Sequence, residues 1–223
     1  MQVLILGCGR LGSALALRLA ELATLWLWDG DPEAAASLAC RTGGRALAGP
    51  LPAPVTAFLA LPAEALPQVL EGMQLPPGST VLNCATTAPT RPLLAHMRPG
   101  VNLAWAKFVG HAREIAAGAR PVIITGGVLG MIPKDLVNLL EHVGTVLPGD
   151  EELVRDVNQL VTAEALRCVA RIQRQLESKD LPPQVIHAAL SCTAPGTIKA
   201  AAGGDLGPFA RQLMAQLRES PSG

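Results

Sequence analysis

Met1-Gln2-Val3-Leu4-Ile5-Leu6 runs straight into Gly7-Cys8-Gly9-Arg10-Leu11-Gly12, and an apolar-rich helix pattern follows at once. Strand, glycine turn and helix in that order supply the context that a bare G-x-G-x-x-G lacks. Gly7 permits the tight turn, Gly9 lets the main chain approach a pyrophosphate, and Gly12 lets helix and strand pack closely. The free N–H groups at the helix start, Leu11 among them, face the phosphates, and the helix dipole favours their negative charge. Arg10 either assists those phosphates or is solvated. The next strand closes on Asp29, 22 positions after Gly7, against the roughly 20 expected for the acid that binds an adenosine ribose. A carboxylate there accepts hydrogen bonds from the ribose hydroxyls and repels a 2′-phosphate. Asp29 has a second reading, as the cap of the turn Asp29-Gly30-Asp31-Pro32. The segment therefore predicts NAD or NADP as cofactor, with Asp29 favouring NAD.

The 223 residues accommodate one large domain, or a medium one with a small companion. The chain is 49% hydrophobic and 16% charged, which is ample material for a core. Lys+Arg and Asp+Glu balance at 18 each, which argues against an electrostatic grip on nucleic acid or an anionic membrane. Pro, Gly or charge interrupts every apolar run before it reaches a membrane span. The first apolar segment lacks the basic start and cleavage site of a signal peptide. Five scattered cysteines show no close pairing and no metal-ligand spacing, which predicts free thiols, no metal and a cytoplasmic location.

Strands are expected near 2–6, 24–28, 45–48, 55–60, 79–84, 101–104 and 121–125. Helices are expected near 11–22, 32–41, 63–72, 90–97, 111–117 and 133–142. Such alternation predicts an α/β fold: a Rossmann-type doubly wound parallel sheet over residues 1–149. After Pro148-Gly149 the pattern changes. Asp150 can cap a long helix in which Leu153, Val157, Leu160, Val161, Ala165, Val169, Ile172 and Leu176 recur at helical spacing. Residues 150–223 thus read as a small all-α C-terminal domain, too small to bury much surface alone. Its apolar stripe predicts a homodimer through the C-terminal helices.

Three segments share a resemblance. The glycine turn, Phe58-Leu59-Ala60-Leu61-Pro62, and above all Ser191-Cys192-Thr193-Ala194-Pro195-Gly196-Thr197-Ile198-Lys199-Ala200 look like pyrroline-5-carboxylate reductase. That family's C-terminal signature reads approximately V-T-S-P-G-G-T-T-I-A. The resemblance implies a dinucleotide-binding domain followed by a helical dimerisation domain. It also implies hydride transfer from NAD(P)H to a cyclic imine carboxylate, a small-molecule substrate. Departures are plain. The family's Ser-Gly-x-Gly-Pro-Ala stretch corresponds here to Val161-Thr162-Ala163-Glu164-Ala165-Leu166, and its Met-Pro-Asn to Ala104-Trp105-Ala106-Lys107-Phe108. The stretch from Leu181-Pro182 to Thr193 is short, so this looks like a shortened, divergent relative. Asn83-Cys84-Ala85-Thr86-Thr87-Ala88-Pro89 also resembles, loosely, the D-x-S-T-x-x-P loop of the β-hydroxyacid dehydrogenases, which share the ancestral fold. That family uses a lysine and an asparagine on its long helix; Arg155 and Asn158 lie one turn apart here, and arginine cannot give up a proton at neutral pH.

Leu61-Pro62 ends the fourth strand and is expected to line the nicotinamide side of the crevice. Lys107 follows an apolar strand between Trp105 and Phe108. Desolvation there eases loss of its proton, which suits binding a carboxylate or acting as an acid. His111 shares a face with it if a helix has begun, and is a candidate proton donor. The blander reading is a helix-start lysine beside a surface histidine. Thr86, Thr87, Thr193 and Thr197 offer hydroxyls to a substrate, or serve turns and a helix cap. These residues predict an NAD(P)-dependent oxidoreductase acting on a small imine or keto/hydroxy acid. The alternatives are a β-hydroxyacid dehydrogenase-like enzyme and a non-catalytic dinucleotide-binding sensor or assembly subunit.

Overall fold

Val3–Leu6 are fully buried, and with Gln2 they form the central strand β1 (Gln2–Leu6). A strand apolar on both faces belongs inside a parallel sheet covered by helices. The computed structural model describes residues 1–130 and 132–219. From β1 the chain passes through α1 (Arg10–Leu19), β2 (Thr24–Trp28), α2 (Pro32–Thr42), β3 (Arg45–Ala46) and β4 (Thr56–Leu59). It continues through α3 (Leu66–Gly72), β5 (Thr80–Asn83), β6 (Asn102–Val109), α4 (Ala112–Ala116), β7 (Val122–Gly127), α5 (Lys134–Glu141) and β8 (Thr145–Pro148). The sheet order is β3-β2-β1-β4-β5-β6-β7-β8. Strand order reverses at β1/β4, which makes the gap between their carboxyl ends the topological switch point.

Three features depart from the sequence reading. The sheet is mixed, because β7 runs antiparallel to β6, and β8 then pairs parallel with β7. Strand β8, whose residues are partly or fully exposed, was not expected. Strand β6 also runs on to Val109, so Lys107 lies inside a strand, not after one. Pairing with Ile123 and Ile124 of β7 supplies the hydrogen bonds that carry β6 past the end of β5.

Two apolar layers cover the sheet. Leu15, Leu19, Leu27, Phe58, Leu82, Phe108 and Ile115 meet on one face. Leu4, Leu6, Leu59, Leu66, Leu70 and Val81 meet on the other. At about 25 cal/mol per Å² of apolar surface, this burial is the main term holding the sheet to its helices. Asp31 caps α2 by accepting from Glu33 N at 3.0 Å, with Pro32 in the first turn, as the sequence led us to expect.

The chain divides into two compact units, the first ending at Gln159 and the second beginning at Leu160. The division falls inside α6 (Glu151–Glu177), later than the Pro148-Gly149 break. The first turns of α6 belong with the sheet because Val154 is fully buried there and Asn158 donates to Phe108 O at 2.8 Å. The second unit is helical: the rest of α6, then α7 (Pro183–Ala188), a π-helical turn Ala189–Thr193, α8 (Ala194–Ala202) and α9 (Pro208–Glu219). No helix among the described residues is long and apolar enough to cross a membrane. All five cysteines are free thiols.

Candidate functional site

The three glycines of the turn differ in what surrounds them. Gly7 has φ of +101°, and a Cβ there would lie 2.5 Å from the Ala60 carbonyl oxygen, so backbone geometry and the neighbouring β4 turn both require glycine. A Cβ on Gly12 would lie 1.7 Å from the Gly7 carbonyl oxygen, so helix and turn touch there. At Gly9 a Cβ would meet nothing within 4 Å. Packing therefore explains Gly7 and Gly12, while Gly9 borders open space at the amino end of α1. Gly9 is the N-cap of that helix and offers no side-chain cap, so the first-turn donors face outward.

The register aligns Leu6 with Leu59 and Leu59 with Asn83. The turns after β1, β4 and β5 thus open in one row: Gly7, then Ala60-Leu61-Pro62, then Cys84-Ala85. Beside this row lies an open cleft of about 840 Å³. Trp28, Gly30, Leu47, Leu51, Leu61 and Val69 are among its walls, and no charged side chain lines it. Its chemistry suits a flat, weakly polar ring.

Asp29 reaches into the turn. Its Oδ2 accepts the main-chain N–H of Cys8 at 2.6 Å, and its Oδ1 accepts that of Asp31 at 3.0 Å. The carboxylate therefore braces the glycine turn and caps its own turn together, with lone pairs left over on each oxygen. Arg10 is exposed at the first position of α1, and Leu11 is half-buried behind it. Cys8 donates its thiol to Trp28 O at 3.7 Å, and burial, with the Asp29 charge adding to it, pushes that thiol up to about 11. It is a filler of the turn, not a nucleophile.

Lys107 is not at the open edge. It is 1% exposed, and its ammonium donates to Ala85 O and to Ala88 O, the latter at 2.9 Å, and pairs with Glu151 Oε2 at 3.3 Å. Those three acceptors match its three N–H donors. Glu151 also accepts Thr90 N at 2.7 Å and the Thr90 hydroxyl at 2.5 Å. Asn83, fully buried, donates to Ala88 O at 2.9 Å and to Thr90 Oγ1 at 3.0 Å, and its own Oδ1 accepts Ala85 N at 3.0 Å. Desolvation by burial lowers the Lys107 pKa, and the facing Glu151 charge partly restores it. This network gathers the loop from Cys84 to Pro89, leaving Thr86 half-buried and Thr87 exposed on its rim.

The anticipated Lys107–His111 helix face does not form. Lys107 sits in a strand, whereas His111 is exposed two residues beyond the end of β6, as the N-cap of α4, with no side-chain cap bond. Nor does Thr193 cap a helix: it continues helically from the π turn into α8, and its carbonyl accepts the Thr197 hydroxyl at 2.9 Å. Both threonines are exposed on one face of the second unit. The residues that sequence reasoning missed are Asn83, Thr90 and Glu151. An acid at a helix start reads as dipole chemistry, and nothing local betrays that it meets a lysine 44 positions earlier.

The sequence matches no protein-family model and no curated protein. Solved structures do match. A pyrroline-5-carboxylate reductase from Coxiella burnetii superposes with a TM-score of 0.69 over 99% of this chain and 86% of that one, at 15% identity. The fold is that of the pyrroline-5-carboxylate reductases. A reductive aminase from Aspergillus terreus in complex with NADPH and ethyl-5-oxohexanoate shares this fold at a TM-score of 0.67 and 20% identity, over 96% of this chain and 78% of that one. A 3-hydroxyisobutyrate dehydrogenase from Mycobacterium tuberculosis, with L-serine, shares it at 0.60 and 18% identity, over 86% and 70%. Within the pyrroline-5-carboxylate reductase fold, Asn83 and Asn158 are both committed to main-chain carbonyls in this chain. Asn158, the long-helix asparagine, thus ties the start of α6 to β6.

Proposed function

We propose that the protein binds a nicotinamide dinucleotide at the carboxyl edge of its sheet and transfers hydride to or from a small imine or keto/hydroxy acid. The observation that carries this reading is Gly9. Of the three turn glycines it alone has no internal reason to lack a side chain, and it borders open space where phosphate would meet helix N–H donors. The apolar cleft at Trp28 and Leu61 suits the adenosine end, and Asp29 would accept from its ribose, which favours NAD over NADP. Solved neighbours that are NADPH complexes of an aminase and an imine reductase support the reaction class. Thr86 and Thr87 would meet the substrate, and His111 is the exposed acid–base group at the end of β6. The full engagement of Lys107 favours a second reading, a dinucleotide-binding module without turnover. A second copy of the chain would cover the exposed apolar residues of the C-terminal helices.

Calorimetric titration of the pure protein with NADH and NADPH tests the first step. Binding of at least one, abolished in Gly9→Val, is expected; indifference of the wild type to both would end this reading. Oxidation of the bound reduced cofactor by a panel of cyclic imines and 2-keto acids separates the enzyme from the binding module.

A further inference from the structure

Lys107 is a large, fully buried cation whose nitrogen is divided between two main-chain carbonyls of one loop and the Glu151 carboxylate. We propose that Lys107 and Glu151 are a positioning pair: together they set the shape of the Cys84–Pro89 loop, which closes over the nicotinamide end of the cofactor and its substrate. The inference rests on the dinucleotide reading above.

The placement follows from topology. With the pyrophosphate at Gly9 and the adenosine in the cleft beside β2 and β3, the other half of an extended dinucleotide must run the opposite way, across β4 and β5. The turn after β5 begins at Cys84, whose N–H donates to Leu59 O at 3.1 Å, next to the Leu61-Pro62 turn. The loop that follows carries Thr86 and Thr87 and has no regular secondary structure of its own. Its shape comes from three side chains: the buried Asn83 from β5 and Lys107 from β6, and the partly buried Glu151 from α6. Two of the loop's carbonyls take side-chain donors. Ala88 O receives both Asn83 and Lys107, and Ala85 O receives Lys107.

A stabilising role alone is a poor account of this chemistry. Burying an ion pair costs several kcal/mol per ion in desolvation, and apolar replacements of similar volume are often as stable or more so. What an apolar pair cannot do is hold two carbonyls and a hydroxyl at set positions. Neither is Lys107 a proton donor to substrate, since its three protons are engaged by two loop carbonyls and by Glu151.

The test compares NADH with ADP-ribose, and NADPH with 2′-phospho-ADP-ribose, by calorimetry. The members of each pair share the phosphate and adenosine ends and differ in the nicotinamide. Lys107→Met, Glu151→Gln and the double variant are each expected to lose about tenfold in affinity for the reduced dinucleotide while holding ADP-ribose unchanged. The double variant, with both charges gone, is expected to recover thermal stability but not nicotinamide-end affinity. Recovery of both together would reduce the pair to a structural role and overturn the inference. Equal losses for both ligands, or no loss for either, would also overturn it while leaving the dinucleotide reading intact. Failure of the wild type to bind either ligand would defeat the dinucleotide reading itself. Should Lys107→Met not fold, Glu151→Gln, which leaves Lys107 its two carbonyls, decides the matter alone.

Discussion

The main-chain N–H of Cys8 donates to Asp29 Oδ2 at 2.6 Å, tying the glycine turn after β1 to the end of β2. One carboxylate thus shapes the glycine turn, and under the proposed function it would also accept from the ribose. Asp29→Ala is expected to weaken NADH binding by about tenfold or more, since a hydrogen bond to a charged group contributes about 1.5–3 kcal/mol. It is also expected to narrow any preference for NADH over NADPH. Paired titrations check this, and an unchanged NADH affinity would remove Asp29 from the site.

The three turn glycines are expected to fail in different ways. Gly9→Ala meets open space, so its stability should stay within about 1 kcal/mol of wild type while dinucleotide affinity falls. Gly12→Ala drives a methyl group against the Gly7 carbonyl and should cost about 1–3 kcal/mol through overpacking. Thermal melts run beside NADH titrations separate the two; similar melts for both variants would contradict the contacts described.

Cys84 gives a signed pH dependence. Its thiol is fully buried, which pushes its pKa from 9.0 up to about 12 against a lowering influence from Lys107. The unfolded thiol therefore ionises first, and the associated stability is present below 9.0 and lost as pH rises toward 12. Cys8 acts in the same sense, from 9.0 to about 11. Lys107 acts oppositely, because its folded pKa lies below 10.5 and burial of its charge is relieved as pH rises toward that value. Cys84→Ala is expected to lower Tm at neutral pH yet to lose less Tm than wild type on going from about pH 8 to about pH 10.5. A parallel shift of both curves would show that the thiol does not titrate in this window.

Phe209, Leu213 and Leu217 recur along one face of α9 and are 76%, 42% and 65% exposed. Leu160, Val161 and Leu166 on α6 are similarly bare. Such faces favour association. Wild type is expected to sediment as a dimer and Phe209→Glu/Leu213→Glu as a monomer. A monomeric wild type would dismiss the second copy.

Local signals determined much of this protein. Period-2 and period-3.6 apolar patterns, with Asp31-Pro32 and the glycine turn as punctuation, located most strands and helices, because each depends on neighbours within a few residues. The tight turn at Gly7, the close packing at Gly12 and the capping of its own turn by Asp29 were legible for the same reason. Tertiary structure alone decided β8, the antiparallel β7 and the extension of β6, since edge pairing depends on which distant strand offers free N–H and C=O groups. It alone decided Lys107 as well. Spacing marked an unusual lysine but not its surroundings, and only folding brings Ala85, Ala88 and Glu151 around it. Whether a buried amine is free for chemistry depends on its acceptors, and these come from two separate parts of the chain, the loop after β5 and the start of α6.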